Sequence, residues 1–493
     1  MIMRPLTFVA FALAASLTAC AIHPVGPDYR VPDTAIVKRA GAAAPFAQAP
    51  ASAAATAATP FADVPLPAHW WRLYQDPRLD ALVEKALAHN TDLRVALANL
   101  RKAEAADQAV AGQRKPTISA AGGPAFGHIS GLSYLAPDYV PPSSWEFGAK
   151  ASLSYDLDLF GRLQRSIEAS RDDTEAAQAA LDLVRVNVAA GTARAYADAC
   201  ATGLRIASAE HSTALQQEAL DISVRLQQAG RVGITDAARA RSQLAVLKAA
   251  VPPLQARRQA ALYRLATLTG DLPQDFERDI ASCTTPPHVA GTIPVGDGAA
   301  LLKRRPDIRQ AERQLAAATA SIGVATADLY PRVSLGLSVG SEGLGNDFLG
   351  KDTFSYSVGP LISWTVPNTG VVRAHIAQAN AGADAALARF DGSVLTALRE
   401  TETALEVYAR ELDRNAALQA ARDESATVAG QARRLYSSGR TGYLDALDAE
   451  RGLATSEATL AASDADLADD QVSLFLALGG GWEPEPVKAA KAD

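Results

Sequence analysis

Residue types that commonly carry chemistry are sparse and scattered in this chain of 493 residues. No two of its seven histidines stand four positions apart, the spacing at which a helix presents a pair of metal ligands: His23, His69, His89, His128, His211, His288 and His375. The sequence has no glycine-rich phosphate loop. No Ser/His/Asp, Cys/His or paired-carboxylate set can be placed on one surface. We therefore expect no enzyme activity, no metal site and no cofactor.

Composition narrows the class of protein further. Apolar residues make up 48% of the chain, which is ample for a folded core. The formal net charge is -7, and no block of Lys and Arg stands out. Binding to a phosphate backbone needs such a basic surface, so nucleic acid is excluded as a partner. The function must be sought in the architecture.

The N-terminus has the form of an export signal. A basic start at Arg4 precedes a short apolar run, and residues 1–19 predict a cleaved signal peptide because the run is too short to span a bilayer. The small residues before Cys20 resemble a bacterial lipoprotein cleavage site. Cys20 would then be the lipidated first residue of the mature chain, and Ala21 after it favours the outer membrane. The alternative is an ordinary signal peptide followed by an incidental cysteine.

Residues 20–62 are predicted to form the lipidated N-terminus and a flexible tether, because residues 38–62 are rich in Ala, Pro, Thr and Ser and have little to bury. Cys200 and Cys283 are the remaining cysteines. In an oxidising compartment we hypothesise that they pair. Two reduced, buried cysteines are the alternative.

The second half of the chain repeats the first. Asp92 and Pro116 recur as Asp307 and Pro331, each 215 positions further on, and residues from Ser154 to Gly270 recur at a constant offset of 209. The offset changes once, in a loop rich in Pro, Gly, Ser and Tyr. Two constant offsets predict a duplicated unit, with repeats at 63–285 and 286–480 and a C-terminal tail at 481–493.

Within each repeat the hydrophobic period changes from helix to strand and back. A helical stretch, Arg78 to Arg114 in the first repeat, leads into a hairpin, a long proline-free helix and a return helix. The predicted ranges are 116–156, 162–229 and 235–270 in the first repeat and 331–366, 371–438 and 444–478 in the second. Pro252 and Pro253 predict a kink or break in the first return helix only.

The hairpin strands alternate an apolar face with a polar one over about 10 residues, the length of a transmembrane strand. Trp145, Phe147 and Leu153 share one face, whereas Glu146 and Lys150 lie on the other as lumen charges. A soluble sandwich with one solvated face is the alternative. Four strands cannot close a barrel, and open edges are not tolerated in hydrocarbon, so the chain must oligomerise. Three copies would supply twelve strands, enough for a channel.

Three motifs make the sequence recognisable: Trp70-Trp71 followed by Asp76-Pro77, Arg304-Arg305-Pro306-Asp307-Ile308-Arg309, and Tyr330-Pro331. The chain resembles the TolC-like outer membrane factor family. The lipoprotein cleavage site and the following Val25-Gly26-Pro27-Asp28-Tyr29 resemble its lipoprotein branch, often called NodT-type. The resemblance implies a mainly α fold whose very long helices form an α-barrel. It also implies that each chain gives four strands to a trimeric 12-stranded transmembrane β-barrel.

The resemblance also places functional residues. The turns between long and return helices become periplasmic tips that face an adaptor protein: Gly230, Arg231 and Gly233, and Gly439, Arg440 and Gly442. Arg231 and Arg440 either bind the adaptor or bond the last carbonyls of their helices. Asp445 and Asp448 align with acidic residues of a pore constriction. Asp236 repeats Asp445, which favours helix capping for Asp445, whereas Asp448 corresponds to Arg239, which favours a pore role.

The predicted function is therefore a passive exit duct of a tripartite efflux system in the outer membrane. Its partners would be two further copies of itself, a periplasmic adaptor, an inner-membrane pump and outer membrane lipid. The alternatives are an outer-membrane duct for protein secretion and a trimeric structural stalk.

Overall fold

The computed structural model describes residues 24–47, 60–128, 138, 140, 142–231, 233–345, 347–364, 366 and 369–482. The predicted signal peptide, Cys20 and nearly all of the predicted tail lie outside the described residues. The elements of the first repeat are β1 (Phe61–Ala62), α1 (Pro77–His89), α2 (Thr91–Gly112), β2 (Thr117–Gly127), β3 (Ser144–Asp156), α3 (Arg162–Gln228) and α4 (Ile234–Leu268). Those of the second are β4 (Ile293–Pro294), α5 (Gly298–Arg304), α6 (Pro306–Ala327), β5 (Arg332–Leu344), β6 (Phe354–Ser363), α7 (Thr369–Ser437) and α8 (Tyr443–Ala477).

The described chain divides into two compact units, and both repeats contribute to each. Unit one contains the chain up to Pro32 together with Leu100–Ala176 and Ala311–Arg389, and therefore holds all four long strands. Unit two contains Asp33–Asn99, Ala177–Gln310 and the chain from Phe390 onward. The predicted mainly α class with two hairpins is confirmed.

Strands β2, β3, β5 and β6 form an antiparallel sheet in that order. One row of directly opposed residues is apolar: Ile118, Leu153, Leu337 and Val358. The next row is polar: Ser119, Ser152, Ser338 and Ser357. In this row the hydroxyls of Ser119 and Ser152 lie 2.8 Å apart, as do those of Ser338 and Ser357. The alternation read from single strands therefore continues across the whole sheet.

The apolar face of the sheet is not covered. Many of its large side chains are exposed, from 38% at Val339 to 75% at Tyr356 and Val358, whereas Phe147 and Leu153 are partly buried. A sandwich would bury this face against a second layer, so the structure argues against the soluble alternative. In the described part of the chain β2 and β6 are the edges of an open sheet.

The prediction of one helix from Arg78 to Arg114 is wrong at one position. The chain breaks between α1 and α2 at Asn90, whose side-chain oxygen accepts from the amides of Asp92 (2.8 Å) and Leu93 (3.2 Å) and so caps α2. The second repeat breaks at the equivalent residue, Arg305, which precedes Pro306. In both repeats, therefore, a new helix, α2 or α6, starts after the break and continues into unit one.

Of the two outcomes predicted for α4, the break is absent and the kink stays a prediction. Helix α4 continues through Pro252 and Pro253 without the predicted break. Both prolines are exposed, as are residues 248 and 249, whose carbonyls lose an amide partner. Water can satisfy those carbonyls, so the helix need not end.

Part of the predicted tether is packed. In unit two the amides of Ile36 and Ala47 donate to the carboxylates of Asp391 (2.8 Å) and Glu402 (3.1 Å) on α7, and Phe46 is buried. The low hydrophobicity of residues 38–62 concealed these few anchoring contacts. Residues 48–59 lie outside the described part.

Trp70 and Trp71 are buried in the core of unit two, as their pairing predicts. The ring of Trp70 stacks on Phe475 with 4.6 Å between centroids and meets Trp71 edge to face. Asp76 caps α1, and its second oxygen accepts from the hydroxyl of Tyr196 at 2.7 Å. The Trp-Trp and Asp-Pro motif thus builds the core of unit two. Among the described helices, none is apolar enough over a sufficient length to cross a membrane.

Candidate functional site

The two tips lie in unit two, where α3 and α7 end in left-handed glycines. Gly230 has φ 69° and Gly439 has φ 72°, a conformation that glycine adopts without the steric cost of a Cβ. In the first tip the Arg231 amide donates to Leu226 and the Gly230 amide to Gln227, both at 2.9 Å. The second tip repeats this Schellman pattern with Arg440, Leu435, Gly439 and Tyr436. The turns are therefore fixed by their backbone.

Gly233 and Gly442 are the N-cap residues that directly precede the return helices α4 and α8. An aspartate three residues after each of these glycines caps the start of the helix. The carboxylate of Asp236 accepts from the Gly233 amide at 3.3 Å. That of Asp445 accepts from the Gly442 amide at 3.2 Å and from the Thr441 hydroxyl at 2.7 Å. A carboxylate in the first turn also favours the positive end of the helix dipole. This geometry supports the capping explanation for Asp445.

Asp448 lies one turn further along α8 and differs from its counterpart. It is exposed and makes no hydrogen bond or ion pair with the residues that the structure describes. The equivalent residue of the first repeat, Arg239, faces Asp236 at 3.9 Å. The second tip therefore carries two like charges, of which only Asp445 has a structural partner.

Arg231 and Arg440 present exposed side chains. Within the described part of the chain neither guanidinium forms a hydrogen bond. Their backbone amides already bond the last helical carbonyls. The backbone amides of these arginines, and not their side chains, therefore bond the last carbonyls of the helices. The guanidinium groups remain available for the other expected role, which is to bind a partner.

A polar network joins the helices of the two hairpins behind the tips, and sequence reasoning missed it. Gln216 on α3 is buried; it donates to the carbonyl of Ala240 on α4 at 3.0 Å and accepts from Arg451 on α8 at 2.7 Å. Gln216 borders a groove of about 780 Å³ between these three helices. In the second hairpin Arg433 donates to the buried Glu450 at 2.7 Å. No equivalent residues stand in the other repeat, so duplication gave no signal for the network.

The second tip also contains a pair of tyrosines whose rings are in contact. The rings of Tyr436 on α7 and Tyr443 on α8 meet edge to face with 5.2 Å between centroids. Burial raises the pKa of the Tyr443 hydroxyl, and the nearby Glu218 adds to this. Gln227 and Ile234 stand at the equivalent positions of the first tip, so the two tips are built differently.

The remaining candidate residues lie elsewhere. The structure joins Cys200 on α3 to Cys283 by a disulfide, with 4.7 Å between their Cα atoms. In the described residues no cluster of three or more His, Cys, Asp or Glu side chains could hold a metal ion. The lipidation prediction for Cys20 falls outside the described residues.

A sheet with an uncovered apolar face, hairpins of very long helices and polar tips define an integral outer membrane channel subunit. Residues 82–271 and 299–480 match the family model "Outer membrane efflux protein", and the chain belongs to this family. Several of its relatives are named as outer membrane or system proteins of efflux pumps.

Individual relatives agree over nearly the whole length. The chain is 28% identical to "Nodulation protein T" of Rhizobium leguminosarum bv. trifolii, across 93% of this chain and 95% of that protein. It is 30% identical to "Solvent efflux pump outer membrane protein SrpC" of Pseudomonas putida, across 83% and 86%. The solved structure of the outer-membrane channel OprN matches with a TM-score of 0.83 at 37% identity, across 93% of this chain and all of that one. The predicted family and its efflux function in the outer membrane are therefore confirmed.

Proposed function

We propose that three copies of the chain assemble into a passive exit duct, which receives small solutes from a periplasmic adaptor and an inner-membrane pump. The observation that carries this proposal is the open sheet with its exposed apolar face and polar opposite face. Lipid can cover the apolar face, and neighbouring copies can pair with the edges at β2 and β6. The polar face then lines a water-filled bore.

The tips have separate roles in this proposal. The exposed Arg231 and Arg440 side chains, set by the glycine turns, face the adaptor. Asp448 faces the pore axis, where three copies form a ring of negative charge that favours cations over anions. Asp445 stabilises the start of α8, and the Gln216 network holds the second hairpin against the first.

Purified protein in planar bilayers tests the duct and the ring together. The wild type is expected to form channels that prefer cations, and Asp448→Ala is expected to conduct with a reduced cation-to-anion permeability ratio. Arg239→Ala is the matched control because it alters the same position of the other repeat, and its ratio should stay close to that of the wild type. A wild type without channel activity would contradict the duct, and an unchanged ratio in Asp448→Ala would contradict the ring.

A further inference from the structure

A cleft of about 460 Å³ in unit two has no role in the proposed duct. It is bounded by α3, α7, α8 and residues 284–288, which belong to the connection between the two repeats. Its volume lies within the range of about 300–1,000 Å³ that is usual for sites of small ligands. The chemistry of its walls therefore indicates what it could bind.

The floor of the cleft is apolar. It is lined by Leu204 on α3, by Leu467 and Ala468 on α8, and by Pro287 of the connection. Ala468 and Pro287 are buried, whereas the two leucines are partly exposed. A ligand with an apolar face can pack against this floor without burying unpaired polar groups.

The rim of the cleft is polar and carries little charge. Four exposed rim residues have side chains that form no hydrogen bond within the described part of the chain: Thr284, Thr285, His288 and Gln419. Hydroxyl, imidazole and amide groups can both donate and accept hydrogen bonds. Such a rim suits a ligand whose own polar groups also do both.

The charges around the cleft disfavour ionic ligands. Asp464 is the one carboxylate among the described lining residues, and no lysine or arginine is among them. The amide of Asn415 donates to Asp464 at 2.7 Å and to Ser463 at 3.2 Å. An anion would find no basic partner, and an ammonium group would have to compete with Asn415 for Asp464. A neutral ligand fits this site better than a charged one.

Residues 284–288 are held at both ends. On one side the disulfide joins Cys283 to Cys200 on α3. On the other side the amide of Val289 donates to the buried side chain of Gln471 on α8 at 3.1 Å. The rim is therefore preorganised, which lowers the entropic cost of binding a ligand.

The first of these ends packs closely against two helices. Arg258 on α4 donates to the carbonyl of Cys283 at 3.2 Å and also to the carbonyl of Ala281. A Cβ on Gly203 of α3 would overlap the carbonyl oxygen of Cys283, so a glycine is required at this approach. The position of the rim relative to α3 is therefore fixed by backbone contacts as well as by the disulfide.

We propose that this cleft binds a neutral sugar residue. One C–H face of the pyranose ring packs on the apolar floor, and the hydroxyls exchange hydrogen bonds with the rim. A sugar combines an apolar face with groups that both donate and accept, which is the combination that the floor and the rim require. The ligand is either a plain hexose or an N-acetylated amino sugar, and these differ in an acetamido group that matches the amide of Gln419. The inference goes beyond the proposed function and does not depend on conductance.

Isothermal titration calorimetry of the full-length protein tests the binding. The protein is kept in a detergent without a sugar headgroup, because a maltoside would compete for the cleft. The two probes are maltotriose, which carries hydroxyls alone, and triacetylchitotriose, which also carries acetamido groups. Saturable binding of either probe is expected, and the tighter of the two identifies the kind of sugar. Binding of neither probe would overturn the proposal.

Gln419→Ala tests whether the sugar occupies this cleft. The side chain of Gln419 is exposed and has no partner to lose within the described residues, so the variant should fold normally. It is expected to bind the tighter probe at least about tenfold more weakly. Gln255→Ala is the matched control, because Gln255 is an exposed glutamine on α4 that does not line the cleft. Equal affinities of Gln419→Ala and Gln255→Ala would overturn the site.

The contribution of the disulfide is tested with the double variant Cys200→Ala/Cys283→Ala. Its rim is held less firmly, so the affinity for the same probe should fall several-fold while the circular dichroism spectrum stays helical. An unchanged affinity would show that the disulfide does not preorganise the rim. The comparison of Gln419→Ala with Gln255→Ala decides the site independently of this variant. Sugar binding by a protein that does not conduct would contradict the duct alone.

Discussion

The buried side chain of Arg305 connects three separate parts of the second repeat. Its guanidinium donates to the carboxylates of Asp307 (2.7 Å) and Glu400 (2.9 Å) and to the carbonyl of Ala477 (2.9 Å) at the end of α8. In the first repeat the equivalent Asn90 donates to Leu268, the equivalent of Ala477, at 3.0 Å. In each repeat, therefore, the residue between the two shorter helices forms a hydrogen bond with the last turn of the return helix.

Arg305→Ala should therefore destabilise unit two. Because two carboxylates and a buried carbonyl would lose their common partner, the expected loss is about 3–5 kcal/mol in the free energy of unfolding. Urea denaturation followed by circular dichroism measures it. Arg399→Ala is the control: Arg399 is 66% exposed and only approaches Glu400 at 3.7 Å, so its loss should stay below about 1 kcal/mol. Similar losses in both variants would contradict this account.

Asp470 on α8 predicts a pH dependence of stability. Burial, together with the charges of Asp469, Glu411 and Asp466, raises the pKa of its carboxyl to about 6. The pKa is higher in the folded than in the unfolded chain, so protonation stabilises the fold below about pH 4, and this contribution is lost as the pH rises through about 6.

Asp470→Asn removes this unfavourable charge. Thermal unfolding at about pH 7.5 should shift upward by a few degrees, and the difference from wild type should shrink at about pH 4. Asp413→Asn serves as control, because Asp413 is exposed, pairs with Arg410 at 3.2 Å and is not among the charges that shift the pKa of Asp470. An upward shift of equal size at both pH values would show that titration of Asp470 is not the cause.

At the residue scale, duplication decided what the sequence could predict. The glycine turns and the capping role of Asp445 have counterparts in the other repeat, so comparing the repeats revealed them. Gln216, Arg451 and Glu450 have none, and their partners come from other helices. The contacts of Val25, Gly26 and Asp28 were equally hidden: their motif served to recognise a family, but no periodicity indicates that the buried Arg165 binds them.

At the scale of elements, the strands were predictable because a period of two separates the faces before any pairing is known. The break at Asn90 was missed because no proline or glycine marks it; the only local signal is an asparagine, a preferred N-cap residue, whose side chain bonds the first amides of α2. Pro252 and Pro253 do not break α4, since water can satisfy the exposed carbonyls that they leave unpaired.

The two faces of β6 give a direct test of the sheet. Val358 lies on the apolar face and Ser355 on the polar face. Val358→Lys should cost about 2–4 kcal/mol per chain if its side chain meets lipid near the bilayer centre, and should sharply reduce the heat-modifiable, membrane-inserted form. Ser355→Lys, with the same new side chain on the same strand, should assemble normally. Equal assembly of the two variants would contradict the assignment of the faces.

At the scale of the whole molecule, the need for partners follows from the sheet, but their number does not. An open sheet of four strands has edges at β2 and β6, and any closed ring of copies would pair them. Two copies would give eight strands, a bore that side chains fill, whereas three give twelve and leave room for a channel. Four copies would also conduct, so strand counting sets only a minimum of three.

Native mass spectrometry of detergent-solubilised protein can determine this number. We expect a mass of three mature chains, because three is the smallest ring with an open bore and the number that the family resemblance implies. Denatured protein provides the mass of the single mature chain as an internal reference. A stable monomer would mean that the edge strands β2 and β6 need no neighbouring strands to pair with. This result would contradict the proposed channel. A tetramer would preserve the conduit but require sixteen strands and a wider ring of Asp448 carboxylates, with a correspondingly weaker preference for cations.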